Sequence, residues 1–156
     1  MVNHLNPVEV SVKSRAVTVK GKRGTLTKSF RHLKVELVPK SEQVNGKTVR
    51  FIEINSYLTT YKQSAILFTI ASHIKNMIKG VTKGFRYKMH IVKKHFPIEV
   101  KINKESIQIG RFLGERNVKI VKLLEGVTCQ KNDKNGEEFW FDGNDIEKVA
   151  LTCKFY

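Results

Sequence analysis

The chain has 156 residues, 40% of them hydrophobic, enough for one ordinary domain or two small ones with packed cores. Twenty-nine Lys and Arg against fourteen Asp and Glu leave a net charge of +15, beyond what solubility requires, so a polyanionic partner is expected. Two cysteines without C-x-x-C spacing, Cys129 and Cys153, argue against a zinc site and a disulfide scaffold, and both read as reduced thiols.

No apolar run reaches the roughly 18 residues of a membrane span, and Met1 to Pro7 lacks the apolar centre of a secretory signal, so a cytosolic or nuclear protein is expected. Nucleic acid is the favoured polyanion, because the cations are spread along the chain instead of gathered on one amphipathic helix.

In chain order, Val8, Val10 and Val12 followed by Val17 and Val19 alternate as the two strands of a hairpin. Lys20-Gly21-Lys22-Arg23-Gly24 follows, with two glycines that would expose backbone amides beside three cations. It reads either as a phosphate-binding loop or as a solvated turn, and basic clustering favours RNA contact. Val35 to Val38 and Val49 to Ile54 then predict strands flanking Asn45-Gly46, a favoured hairpin turn. Asn45-Gly46-Lys47-Thr48 has the ending of a nucleotide-binding loop, but Ser41 stands where the first glycine belongs and no strand-to-helix context surrounds it.

From Lys62 to Lys79, apolar Leu67, Ile70, Ala71, Ile74, Met77 and Ile78 recur at helical spacing, and Gly80 is expected to end the helix. The stretch from Gly80 to Met89 then combines Lys83, Arg86 and Lys88 with Phe85 and Tyr87, a mixture suited to neutralising phosphates and stacking on bases. Alternation places Phe85, Tyr87 and Met89 on one face and Arg86 and Lys88 on the other, so the aromatics fit a core as well as a stack.

A repeat then declares itself: Pro7-Val8-Glu9-Val10-Ser11-Val12 falls on Pro97-Ile98-Glu99-Val100-Lys101-Ile102, Val17 and Val19 on Ile107 and Ile109, and Gly24 on Gly114. A period this long implies a duplicated small domain, with a boundary near His95 and domains of 1–94 and 95–156. The second-half strands opposite those at Asn45-Gly46 are expected at Val118 to Leu123 and Glu138 to Phe141, around Asn135-Gly136. Trp140 is expected in the core. A second helix begins at Asn144 or Asp145, both good N-caps, with Ile146, Val149 and Ala150 as its first apolar positions, and it looks short beside the first.

Nothing here composes an active site. His32, His73, His90 and His95 lack the spacing of a helical metal site, and the carboxylates of Glu137, Glu138, Asp142 and Asp145 fall in a turn and at a helix start, where capping accounts for them. No enzyme, metal or cofactor is expected.

The blocks Val17 to Leu26, Ser72 to Met89, His95 to Ile98, and Arg111 to Glu115 with Gly143 to Glu147 resemble the large-subunit ribosomal protein L-six family, called L-nine in eukaryotes. The likeness runs from about Val8 to Glu147. It implies an α+β fold of two tandem duplicated domains, each an antiparallel sheet arrangement packed with one helix. It implies a structural protein bound to ribosomal RNA near the base of the sarcin-ricin loop and the factor-binding region, beside neighbouring large-subunit proteins. It implies no small-molecule substrate and no membrane, with residence on cytoplasmic ribosomes after nuclear or nucleolar assembly. Carried to matching positions, it sets Lys20, Lys22, Arg23, Lys83, Arg86, Lys88, Arg111 and Arg116 near RNA. The sequence departs from the family at Asn55 to Tyr61, where a tryptophan-glycine pair and an arginine are usual, and at Lys154-Phe155-Tyr156, where members continue through a longer helix to a basic tail. A shortened second domain is therefore expected, and with it an alternative role as an extraribosomal RNA-binding or regulatory protein derived from the family.

Overall fold

The computed structural model describes residues 2–4, 8–44, 47–57, 60–93, 95–103, 105–132 and 137–155. The chain divides into two compact units, Met1–Lys83 and Gly84–Tyr156.

In the first unit the valine alternation forms β2 (Glu9–Lys13) and β3 (Ala16–Gly21), which burial of Val17 and Val19 on one face holds against the core. Ser14 and Arg15, both at positive φ, make the tight turn between them. β3 also pairs with β4 (Gly24–Ser29), giving a sheet of order β2-β3-β4. The second sheet has order β1-β6-β5, from β1 (Val2–His4), β5 (Glu36–Val44) and β6 (Lys47–Asn55), all antiparallel. The turn expected at Asn45-Gly46 lies outside the described residues.

Helix α1 (Tyr61–Thr82) buries Ile70, Ile74, Met77 and Val81, spaced one and two turns apart, in a core with Val17, Val19, Phe30 and Ile52. It runs through Gly80 and stops where Gly84 takes a φ of +79°. Burial of Val81, which is 0% exposed, outweighs the roughly 1 kcal/mol that a glycine costs inside a helix. Gly80 is therefore not the stop that the sequence suggested.

The second unit repeats this plan strand for strand. Its sheets are β8-β9-β10 and β7-β12-β11, built from β7 (Phe85–His90), β8 (Glu99–Ile102), β9 (Ser106–Gly110), β10 (Lys119–Lys122), β11 (Val127–Lys131) and β12 (Glu138–Gly143). Helix α2 (Ile146–Phe155) follows the sixth strand, as α1 does in the first unit. Asp145 Oδ1 accepts a hydrogen bond from the Glu147 amide at 3.0 Å, which fixes Asp145 as the N-cap. The second core gathers Ile107, Ile109, Val127, Phe139, Phe141 and Val149.

The observed division differs from the expected one in two places. β7 pairs with β12, so Phe85–His90 opens the second unit and stands where β1 stands in the first. The strand beside β12 is β11, whereas Lys119–Lys122 pairs with β9 and is the counterpart of β4. Trp140 is also displaced from its expected place. Phe139 and Phe141 face the core, and pleating turns Trp140 to the opposite side. The turn expected at Asn135-Gly136 lies outside the described residues.

Candidate nucleic-acid interface

The sequence places Lys20, Lys22, Arg23 and Lys83 on the first unit, and folding brings them to one end of α1. The Arg23 amide donates to the Val81 carbonyl oxygen at 3.1 Å, tying the β3–β4 turn to the last turn of the helix. Gly21 permits this approach: a Cβ there would lie 2.7 Å from Val81 Cγ2 and 2.8 Å from the Val81 carbonyl oxygen. The glycine therefore serves contact between strand and helix, and the Arg23 amide is committed to the fold. One amide of the turn is thus withdrawn from any phosphate, and its exposed side chains are what it chiefly offers.

Around that helix end, Lys20, Lys22, Arg23, Lys79 and Lys83 are all exposed. The C-terminal end of the helix dipole carries partial negative charge there, so one or two cations are expected on electrostatic grounds alone. Five exceed that need. No Asp or Glu lies between Glu9 and Glu36, nor between Glu53 and Glu99, so neighbouring sequence offers them no carboxylates.

The other four sequence-derived residues belong to the second unit and meet a different environment. Arg86 Nε and Nη2 donate to Asp142 Oδ1 and Oδ2, each at 2.7 Å, and the Arg86 guanidinium carbon lies 4.9 Å from the Trp140 ring centroid. The hydrogen bonds to Asp142, then its charge, raise the arginine pKa further, so Arg86 is a fixed cation neutralised by its partner. Lys88 is exposed on the same strand. Arg111, at a φ of +55°, approaches Glu99 at 3.4 Å. Arg111 and Arg116 line one open pocket of about 480 Å³ with Phe96, Pro97, Gly114 and Glu115. Lys93 and Lys119 pair with Glu137 and Glu115 at 2.6 and 3.4 Å.

The units thus differ in charge for a reason that total charge hides. The first has fifteen Lys and Arg against four Asp and Glu, a net +11, while the second has fourteen against ten, a net +4. Sequence reasoning saw evenly spread cations and overlooked the uneven acids; the two long acid-free spans were the signal. It also passed over Asp142 as the partner of Arg86, because that pairing depends on strand register across 56 residues.

Among the described residues, no group of three or more His, Cys, Asp or Glu is placed to hold a metal ion.

The family model for ribosomal protein L6 matches residues 6–84. The chain is 41% identical over 146 residues to large ribosomal subunit protein uL6 of Ignicoccus hospitalis, covering 94% of this chain and 75% of that protein. It is 39% identical to uL6A of Schizosaccharomyces pombe, over 94% of this chain and 74% of the relative, and 39% identical to uL6 of Candida albicans, over 94% and 75%. The chain belongs to the ribosomal protein L6 family. This membership agrees with the duplicated α+β plan and with a structural, non-enzymatic protein. The L6 family model ends at residue 84, beside the division between the units, while the relatives extend the match across the second unit.

Proposed function

We propose that this L6-family chain is a structural constituent of the large ribosomal subunit, where it binds ribosomal RNA and takes part in translation. The observation that carries this reading is the match to large-subunit proteins over 94% of the chain. The cations around the end of α1 supply a physical means: they would neutralise phosphates, with specificity coming from RNA shape more than from base edges. Lys20, Lys22, Arg23 and Lys83 form the principal contact, with Lys88, Arg111 and Arg116 as further ones on the second unit. In keeping with the family resemblance, our reading sets this contact near the base of the sarcin-ricin loop and the factor-binding region, beside other large-subunit proteins. Residence is on cytoplasmic ribosomes, after assembly in the nucleus or nucleolus.

Sedimentation of a cell extract through a sucrose gradient in high salt tests this. Co-migration of the chain with the large subunit is expected. Recovery only at the top of the gradient would overturn the assignment and favour the extraribosomal role.

A further inference from the structure

We propose that the outer face of the β7-β12-β11 sheet is a stacking site for an unpaired RNA base, with Arg86 laid over Trp140 as its platform. The inference rests on reading the chain as an RNA binder and adds a ligand class to it. Register sets Arg86 opposite Asp142, Lys88 opposite Trp140, Gln130 opposite Trp140 and Thr128 opposite Asp142. Directly opposed residues of antiparallel strands point to the same side, so these six share the face turned away from Phe139 and Phe141.

Three observations single this face out. Asp142 cancels the charge of Arg86 and fixes the guanidinium by two hydrogen bonds, leaving a held planar group that is poor as a phosphate anchor but suited to stacking. The Arg86 side chain remains 48% exposed with Trp140 beneath it, so it still has surface to offer a base. Trp140 Nε1 is buried and finds no hydrogen-bond partner among the described residues, although a tryptophan held for packing usually finds an acceptor for its N–H. Around the platform, exposed Lys88 can take the phosphate of the same nucleotide, and exposed Gln130 and Thr128 can meet a base edge. A base already stacked in a duplex cannot enter such a site; a base from a loop, bulge or single strand can.

Trp140 is the single tryptophan of the chain, so tryptophan emission, excited apart from the four tyrosines, reports on this face. The test titrates the whole chain with oligoadenylate and separately with a mixed-sequence duplex RNA, following tryptophan emission and the anisotropy of end-labelled RNA together. Oligoadenylate is expected to quench the emission with the midpoint that anisotropy reports, while the duplex binds without quenching. Trp140→Leu and Arg86→Lys are each expected to weaken oligoadenylate binding about ten-fold and leave duplex binding unchanged. If both RNAs bind while emission stays constant, the stacking site is overturned and the RNA-binding reading survives. If neither RNA binds at low salt, both are overturned. Should either variant fail to fold, the fluorescence of the unaltered chain decides alone.

Discussion

Gly21 and Gly143 occupy strands in separate units, and both lie under a helix valine. A Cβ on Gly21 would come within 2.7 Å of Val81, and one on Gly143 within 2.5 Å of Val149 Cγ2. Neither has positive φ, so neither is needed for a special backbone conformation; a helix lies close against each. For Gly21 the crowding atoms include a backbone oxygen, which cannot rotate away. Gly21→Ala is therefore expected to cost about 1–3 kcal/mol, as overpacking of a close contact does. Gly110→Ala is the matched control, since a Cβ there meets Glu99 at an ordinary 3.8 Å. Urea unfolding of the two variants checks this: equal midpoints would show that the Gly21–Val81 contact is looser than described. Because the same contact seats the Lys22-Arg23 turn, a folded Gly21→Ala protein should also bind RNA less tightly than Gly110→Ala.

At the scale of elements, β11 and α2 each carry a thiol that the sequence left without a role. Cys129 on β11 and Cys153 on α2 both pack against the second core. Burial, with a smaller contribution from Cys153, pushes the Cys129 thiol up to about 11, and burial raises Cys153 as well. The native state therefore keeps protons that the unfolded chain gives up. This contribution to stability is complete below the ordinary thiol value of 9.0 and is lost as pH rises through about 11. Iodoacetamide at pH near 8 should label the native thiols far more slowly than the urea-unfolded ones. Equal rates would mean that α2 does not stay seated on β11.

The same strand shows what the sequence disclosed and what it hid. Hairpins such as β2-β3 and β8-β9 were legible because their inward residues are uninterrupted Val and Ile. Strands β4 and β11 were not, because each is a sheet edge with few apolar residues: Leu26 alone in one, Val127 and Cys129 in the other. With β11 unseen, the partner of β12 was misassigned to Lys119–Lys122. The basic turn at Lys20 to Gly24 was legible because its residues are consecutive. The Arg86, Asp142 and Trp140 grouping was not, since the register between β7 and β12 creates it.

Over the whole molecule, the two units repeat one topology yet divide the electrostatic work unequally. The first holds +11 of the +15 net charge and the second +4, although their cation counts differ by one. In the second unit, carboxylates engage Arg86, Lys93, Arg111 and Lys119. A cation already paired gains less from a phosphate, because it must first give up its carboxylate, and its release of counterions is correspondingly smaller. Unequal salt dependence follows. Replacing Lys20, Lys22, Arg23 and Lys83 by Gln should reduce the magnitude of the slope of log affinity against log salt by roughly 3, from about 0.7 to 0.9 per lost phosphate contact. Replacing Lys93 and Lys119 by Gln should change it by less than about 1. Titrations of ribosomal RNA fragments at several salt concentrations measure both slopes. If the pair removed from the second unit reduces the slope as much per residue as the four removed from the first, phosphate contact is shared evenly and the α1 end is not its centre.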